Sequence, residues 1–363
     1  MHAGLVIYGS LDTVSGGYLY DRQLVRYLQS QGDSVEIIPL PWRSYGQHLL
    51  DNHSPDLQAL IHYGGYDVVL QDELNHPSLF RLNTVIVPRP SPIISIVHHL
   101  RCSEKRPNWQ NNLYRGIEQR YLNSVDAFIF NSRTTAAAVE SLLKRPHPAV
   151  VAPPGRDHIK PYITPDMIGK RAADGPLHLL FVGNIIPRKG LTVVLEALAK
   201  LPPDSWVLDI VGDDSVDPAY TAETTRLITQ LGVDGSVRLL GRLDDAALAE
   251  RYAAAHVLVV PSSYEGYGIV YAEAMGFGLP VIATTSGAAA ELIDDGVNGF
   301  LISPGDATQL AAHLAMLSAD RSLLADMSLH ALKCYQTLPT WDESMAQARL
   351  FILERIASFE GRG

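Results

Sequence analysis

The sequence contains only two cysteines, Cys102 and Cys334, among 363 residues. Two cysteines cannot form the disulfide framework of a small secreted protein, and their separation matches none of the ligand spacings of zinc sites. The chain also lacks an apolar run long enough to cross a bilayer, and Met1 to Tyr8 has the pattern of a strand rather than of a signal peptide. We therefore expect a protein of the cytoplasm.

Basic residues are too few for a general nucleic-acid-binding surface. The chain carries 29 Lys and Arg against 39 Asp and Glu, a net charge of −10, whereas nucleic-acid binding needs positive charge to neutralise phosphates. Residues 1–168 carry as many basic as acidic side chains, so the deficit belongs to the remainder. The near-neutral first part leaves two interpretations of its basic patches open, peripheral contact with an anionic membrane surface or an ordinary solvated face.

The first strand is not followed by a dinucleotide-binding fingerprint. Leu5 to Tyr8 predicts a strand, Gly9 to Gly17 a loop, and Tyr18 to Gln29 an amphipathic helix. The loop lacks G-x-G-x-x-G, which argues against a Rossmann dehydrogenase. The pair Gly16-Gly17 still leaves backbone amides accessible at the head of a helix, where anions bind.

Apolar strand patterns alternate with amphipathic stretches along the rest of the chain. Further strands are predicted at 34–39, 67–70, 93–97, 125–130, 150–151, 177–182, 206–211, 237–240, 257–260 and 281–283. This βαβ rhythm predicts parallel sheets, and the length suffices for two α/β domains. From Asp157 to Pro176 proline, glycine and charge dominate, which predicts an interdomain linker.

The stretch from Val259 to Asp306 carries the strongest chemical signal. An apolar strand ends at Pro261, a polar loop follows from Ser262 to Gly268, and a small-residue helix begins near Ile269. Glycines in this loop bring backbone N–H groups close to a ligand, and the helix directs the positive end of its dipole to the same place. We expect an anion to bind there.

Two carboxylates, Glu265 and Glu273, mark this unit. They lie within PSxxEGxGxxxxEAMxxGxPVIA, which is followed by GxxxELIxDGxNGFLxxPGD. This combination resembles the donor-site signature of the retaining family-4 glycosyltransferases of GT-B fold. The resemblance implies two Rossmann-like parallel-sheet domains facing a central cleft. Residues 1–165 would bind the acceptor, residues 166–340 the nucleotide-sugar donor, and a C-terminal helix in 341–363 would pack back on the first domain.

The resemblance also assigns roles to residues of this chain. Glu265 and one histidine at the end of the strand 93–97 would contact the donor sugar, and Arg188 and Lys189 would hold the diphosphate as it leaves. His98 is the favoured histidine, with His99 open as the alternative. The implied donor-binding residues are Gly16, Gly17, Gly183, Asn184, Arg242, Gly266, Tyr267, Gly268, Ile269, Val270 and Glu273. Asn184 departs from the family pattern, which often has arginine after the first glycine.

A third group of polar residues, Asp72, Glu73 and Asn75, follows the strand 67–70. The family often has acceptor contacts at this position, but these residues are also the usual caps of a short helix. The sequence leaves both interpretations open.

The implied activity is metal-independent retaining transfer of a hexose from a UDP- or GDP-sugar to a hydroxyl acceptor that the sequence does not identify. No metal or other cofactor is expected, because cationic side chains and a helix dipole hold the phosphates and the sequence shows no His/Asp metal cluster. A nucleotide-sugar epimerase and a noncatalytic nucleotide-sugar-binding protein of the same fold are the alternatives, because fold alone does not decide function.

Overall fold

The computed structural model describes residues 1–104, 106–173 and 175–361. They divide into two compact units. Unit 1 comprises Met1–Gly155 and Pro339–Gly363, and unit 2 comprises Arg156–Leu338. No helix in the described ranges is long and apolar enough to span a bilayer.

The strands of both units are parallel and follow the predicted α/β rhythm. They are β1 (His2–Tyr8), β2 (Ser34–Leu40), β3 (Val68–Asp72), β4 (Ile93–Val97), β5 (Ala127–Phe130), β6 (Ala149–Val151), β7 (Leu177–Val182), β8 (Trp206–Val211), β9 (Val237–Gly241), β10 (Val257–Val259), β11 (Val281–Thr284) and β12 (Gly299–Ile302). Unit 1 has the order β2-β1-β3-β4-β5-β6, and unit 2 the order β12-β11-β10-β7-β8-β9.

Helices connect the strands and cover the sheets. They are α1 (Gly16–Ser30), α2 (Tyr45–Asp51), α3 (Pro55–Tyr63), α4 (His76–Leu79), α5 (Leu82–Val85), α6 (Asn108–Leu122), α7 (Arg133–Glu140), α8 (Pro165–Ala173), α9 (Leu191–Leu198), α10 (Pro218–Leu231), α11 (Asp245–Ala254), α12 (Ile269–Gly276), α13 (Ala307–Ala319), α14 (Arg321–Thr337) and α15 (Trp341–Glu360).

The central strands of unit 1 are buried along their whole length. Every residue of β3, β4 and β5 is buried, as expected for a parallel sheet covered on both faces. The order changes direction between β1 and β3, so the loops that follow these strands diverge there. Such a switch point is where α/β sheets bind ligands.

Unit 2 has its switch point between β7 and β10. The loop after β7 contains Arg188 and Lys189, and the loop after β10 contains Glu265. The fold of the second sheet therefore brings together two motifs that lie far apart in the sequence.

Two expectations about the second unit were wrong. The stretch predicted as a linker contains helix α8, whose Ile168 is fully buried; its apolar side chains anchor it despite the surrounding proline and glycine. Strand β12 was not predicted; it begins with Gly299 and pairs only with β11 at the edge of the sheet.

Candidate functional site

Hydrogen bonds join the loop after β7 to the loop after β10. The amide of Ser263 donates to the carbonyl of Arg188 at 2.8 Å, and Nη1 of Arg188 donates to the carbonyl of Tyr264 at 2.8 Å. Gly190 has a φ of 75°, and a Cβ there would lie 2.5 Å from the carbonyl oxygen of Pro261. Glycine at this position therefore permits the close approach of the loops.

Glu265 is the centre of the polar contacts in this region. Its Oε1 accepts hydrogen bonds from Nζ of Lys189 at 2.6 Å, from Nη1 of Arg188 at 3.2 Å and from the hydroxyl of Ser262 at 2.8 Å. The Glu265 residue is only 9% exposed. The site thus contains two basic groups held against one carboxylate, with little access to water.

The charges of this cluster determine its protonation. Burial raises the pKa of Glu265, but the charges of Lys189 and Arg188 outweigh it and lower that pKa to about 2. Burial lowers the pKa of Lys189 from its ordinary value, and the charge of Glu265 opposes this effect. Glu265 is therefore ionised at neutral pH, and its charge favours the cationic form of Lys189.

Helix α12 begins directly after this loop. Gly268 precedes its first residue with a φ of 95°, and a Cβ there would lie 2.2 Å from the ring of Tyr271. The first N–H groups of a helix, here those of Ile269 and Val270, have no intrahelical acceptor. The side chain of Tyr267 lies in the core of unit 2 and is 5% exposed, so that residue offers a ligand its backbone only.

Glu273 has a separate set of contacts from Glu265. Its Oε2 accepts a hydrogen bond from the hydroxyl of Tyr252 at 2.9 Å, and burial raises the pKa of Glu273 to about 7. Tyr252 is fully buried and stacks on Phe277 with the ring centroids 5.5 Å apart. The hydrogen bond thus links Glu273 of α12 to Tyr252 of α11.

The remaining predicted donor residues are distributed over neighbouring loops of unit 2. Gly183 has a φ of 153°, and a Cβ there would lie 3.2 Å from Cε of Lys189, so glycine leaves room for the lysine side chain. Asn184 and Gly266 are partly exposed in the loops after β7 and β10. Arg242 is exposed, and its Nη1 lies 3.7 Å from Oδ2 of Asp213.

Unit 1 contains a second polar cluster, which is centred on His98. Its Nε2 lies 3.3 Å from Oδ1 of Asp21, a fully buried residue of α1. A Cβ at Gly17 would lie 3.0 Å from Cδ2 of His98, so the predicted glycine pair and the predicted histidine come together. The ring of Tyr20 contacts the imidazole edge-on, with the centroids 5.2 Å apart.

The acids around His98 favour its protonated form. Burial lowers the pKa of His98, but the hydrogen bond to Asp21 and the charges of Asp21, Asp72 and Glu73 raise it to about 9. Burial, together with the charge of Asp21, raises the pKa of Asp72 to about 8. The hydrogen bond to Asp21 thus favours the protonated form of the His98 imidazole.

His99 has different contacts. Its Nε2 lies 2.9 Å from Oε1 of Glu104, whose other oxygen pairs with Arg106 at 2.6 Å. Each of the two adjacent histidines thus has its own carboxylate, Asp21 for His98 and Glu104 for His99.

The polar residues at and after the end of β3 are buried and have contacts within unit 1. Asp72 caps the following turn by accepting from the amide of Leu74 at 2.9 Å. Asn75 is fully buried and donates to the carbonyls of Val6 and Asp72. Glu73 is 2% exposed and faces the interior. Asp72 thus has the capping contact that the sequence suggested as one interpretation.

Glu73 belongs to a buried cluster with His76 and Glu118. Oε1 of Glu73 lies 3.1 Å from Nδ1 of His76, and the hydroxyl of Tyr45 lies 3.0 Å from Nε2 of the same histidine. Burial raises the pKa of Glu73 to about 8 and that of Glu118 to about 7, whereas it lowers the pKa of His76 to about 4. Burial thus favours the protonated form of both acids and the neutral form of the histidine.

Two side-chain groups in unit 1 have the spacing of metal ligands, Asp21 with Asp72 and His98, and Glu73 with His76 and Glu118. The absence of a His/Asp cluster expected from the sequence is therefore not found in the described residues. In the first group Asp21 lies on α1, Asp72 at the end of β3 and His98 after β4, so no local spacing in the sequence indicates this group.

Family models match both units of the chain. The model described as Glycosyltransferase Family 4 matches residues 16–159, and the model described as Glycosyl transferases group 1 matches residues 165–333. Together the two matches cover most of the sequence. The chain belongs to the family-4, group 1 glycosyltransferases.

Solved structures show that this glycosyltransferase has the GT-B fold. Sucrose-phosphate synthase from Thermosynechococcus elongatus matches with a TM-score of 0.82 and 22% identity, over 98% of this chain and 99% of the other. Anabaena Alr3699/HepE, solved with UDP and glucose, matches with a TM-score of 0.78 and 20% identity, over 98% of this chain and 100% of the other. At such identities the likeness concerns the fold alone.

Curated relatives share shorter stretches with the glycosyltransferase. A D-inositol 3-phosphate glycosyltransferase of Xylanimonas cellulosilytica is 31% identical over 243 residues, which is 63% of this chain and 57% of that protein. The lipopolysaccharide core biosynthesis glycosyltransferase LpsE of Rhizobium meliloti is 36% identical over 152 residues, 42% of each chain. The chain thus spans about half the length of the curated relatives that it matches.

Sequence reasoning missed Asp21, the partner of His98. The signal was present in helix α1, because Asp21 lies three, four and seven residues before the buried residues Leu24, Val25 and Leu28. An acid on the apolar stripe of a helix must find a buried partner. The same argument applies to Glu118, which precedes Tyr121 and Leu122 on the buried face of α6.

Proposed function

We propose that the protein transfers a hexose from a nucleotide-diphosphate sugar to a hydroxyl acceptor with retention of anomeric configuration. The observation that carries the proposal is the contact of Lys189 and Arg188 with Glu265 at the switch point of the second sheet. Such a site offers positive charge and open helix amides where α/β sheets bind nucleotides.

In this proposal, unit 2 binds the diphosphate. The departing nucleotide gains negative charge as the glycosidic bond breaks, and groups that are already oriented stabilise this charge best. Lys189 and Arg188 are so oriented by Glu265 before any ligand arrives. The amides of Gly268, Ile269 and Val270 add the positive end of the α12 dipole.

Glu265 has two roles in the proposed reaction. Its carboxylate fixes the two cations, and it accepts a hydrogen bond from a hydroxyl of the donor sugar. Because Glu265 stays ionised far below neutral pH, it acts as an acceptor of hydrogen bonds and not as a proton donor. A retaining transfer in which the acceptor proton moves to the leaving phosphate agrees with this state.

Unit 1 contributes His98, for which we propose contact with the transferred sugar. The imidazolium held by Asp21 donates a hydrogen bond and offers positive charge. Gly17 at the head of α1 lies against the same ring, so its amide and the imidazole are available to one substrate. Asp21 is in this scheme a positioning residue, because it acts through His98.

The donor is a UDP- or GDP-sugar in this proposal, and no metal takes part in holding its phosphates. Structures of Alr3699/HepE in complex with UDP-glucose and with UDP support a nucleotide sugar. The paired cations Arg188 and Lys189 support metal independence, because they supply the charge that a bound Mg²⁺ would otherwise bring.

A screen of nucleotide sugars tests the proposal. The purified chain is incubated with UDP-glucose, UDP-N-acetylglucosamine, UDP-galactose and GDP-mannose, with and without inositol 3-phosphate as one acceptor, in the presence of EDTA. We expect release of nucleoside diphosphate from at least one donor, and NMR of any glycoside to show the anomeric configuration of the donor. An inverted product refutes retention, and interconversion of the donor sugar without acceptor indicates an epimerase.

A further inference from the structure

A cavity in unit 1 lies away from the residues discussed so far. It has a volume of about 460 Å³ and is formed by the segment joining α4 to α5, the second half of α6 and the segment after α7. Phe80, Arg81 and Thr84 line one side, and Gln119, Arg120 and Lys144 line the other. The volume falls within the usual range of small-molecule sites.

Every charged side chain that lines this basic cavity is a cation. The side chains of Arg81, Arg120 and Lys144 form no ion pair and donate no side-chain hydrogen bond in the part of the chain that the structure describes. Elsewhere in unit 1 arginines do have acidic partners, such as Arg89 with Asp126 at 2.8 Å. The three residues are exposed around this open cavity, and an anion bound among them would reduce the repulsion between like charges.

The neutral groups of the cavity are already engaged in hydrogen bonds. The hydroxyl of Thr84 donates to the carbonyl of Arg81 at 2.6 Å, and the amide of Gln119 donates to the carbonyl of Leu142 at 3.0 Å. The donors left for a ligand are therefore the guanidinium and ammonium groups. Such a set selects an anion, and phosphate in particular, over a neutral sugar.

The helix dipole does not account for all three cations. Arg120 lies in the last turn of α6, where the negative end of the dipole favours positive charge. Arg81 follows the end of α4 and Lys144 follows the end of α7, so the three cations come from three separate segments.

The cavity is remote from the proposed reaction. Helix α6 ends at Leu122 and β5 begins at Ala127, so this end of α6 lies at the edge where the parallel strands begin. His98 follows the last residue of β4 and therefore lies at the opposite edge. A ligand of the basic cavity would thus bind independently of the nucleotide sugar.

We propose that the basic cavity binds a phosphate group, carried either by a soluble metabolite or by the headgroup of an anionic phospholipid. Arg81 and Arg120 contact the phosphate oxygens with paired N–H groups, and Lys144 adds a third charge. The half-buried ring of Phe80 packs against the apolar part of the ligand. This site is separate from the proposed transferase activity and does not depend on it.

The test compares the wild-type chain with the double variant Arg120→Ala, Lys144→Ala. The probes are inorganic phosphate, followed by calorimetry, and vesicles of phosphatidylglycerol or of phosphatidylcholine, followed by sedimentation. We expect binding of phosphate or of phosphatidylglycerol vesicles to weaken by about tenfold or more in the double variant, because it loses two charge-assisted contacts. Binding of phosphate alone identifies a soluble ligand, and binding of phosphatidylglycerol vesicles alone identifies a lipid headgroup.

Two controls make the result decisive. The double variant Arg115→Ala, Arg26→Ala removes the same charge from exposed positions outside the cavity, and it should bind both probes like the wild type. UDP binding is measured in parallel and should be equal in all three proteins, so that failure of the nucleotide site is distinguished from failure of this one. Equal loss in both double variants, or no loss in the cavity variant, overturns the proposal.

Discussion

Nζ of Lys189 lies 2.6 Å from Oε1 of Glu265, although 75 residues separate them along the chain. The contact joins the loop after β7 to the loop after β10, and it places a cation and an anion together in a buried position. A diphosphate that binds there competes with Glu265 for the lysine. Changing either partner should therefore alter nucleotide binding.

Replacing Glu265 by glutamine should separate binding from turnover. The amide keeps a hydrogen-bond acceptor for Lys189 but removes the negative charge, so the cations remain available to a diphosphate. We expect activity to fall on the order of a hundredfold, because a hydrogen bond to a charged group is lost in the transition state, while UDP binding persists or tightens. Glu250→Gln at an exposed position of α11 serves as the control, and equal turnover in both variants would remove Glu265 from the site.

The same variant tests the electrostatics of Glu265 in stability measurements. Because the pKa of Glu265 is lowered from 4.5 to about 2 in the folded state, its ionisation stabilises the fold above pH 4.5. That contribution is lost as the pH falls towards 2. Urea unfolding should therefore show a difference between the wild type and Glu265→Gln that is largest near neutral pH and narrows below pH 4.5. A difference independent of pH would contradict the assignment.

Replacing Asp21 by asparagine should change the titration of His98. The hydrogen bond and charge of Asp21 help to raise the pKa of His98 to about 9, and burial alone would lower it. NMR of the imidazole signals should therefore show a lower pKa in Asp21→Asn, and transferase activity should fall at a lower pH on the alkaline side. The matched control is Glu104→Gln, which removes the partner of His99; if it shifts the titration of His98 equally, Asp21 has no specific role.

Replacing Gly17 by alanine should harm function without loss of stability. The new Cβ would lie 3.0 Å from Cδ2 of His98, so the imidazole must move by a few tenths of an ångström. We expect turnover to fall by about tenfold, whereas alanine in helix α1 favours folding by about 0.5 to 1 kcal/mol. Gly46→Ala in α2, where a Cβ meets nothing within 4 Å, should leave turnover unchanged. Undiminished activity in Gly17→Ala would mean that His98 does not act from this position.

Most strands of the fold could be predicted from the sequence. Strands β4 and β7 are apolar except for Ser95 and His178, and both have the predicted limits. Helix α8 was missed because proline, glycine and charge surround it, and only the burial of Ile168 and Ala172 explains why it forms. Tertiary packing, which the local pattern does not show, decided this segment.

In the candidate site, the sequence predicted the individual motifs but not the contacts between them. The motif around Glu265 and the basic pair Arg188-Lys189 are local patterns, and each could be found alone. Their contact follows from the order of strands in the second sheet. The partner of His98 was not found, because Asp21 lies 77 residues earlier on a helix and only the three-dimensional sheet order brings the two together.

Titration of UDP and GDP into the wild type and Lys189→Ala tests whether Lys189 binds the diphosphate of the donor. In the variant Glu265 keeps Arg188 and Ser262 as partners, so the fold should persist, and circular dichroism checks this. Lys200→Ala is the control, since Lys200 is an exposed lysine of the same unit that contacts Thr308. We predict that one nucleotide binds the wild type and the control, and that Lys189→Ala weakens its affinity about tenfold or more. Equal affinity in all three folded proteins would contradict the account.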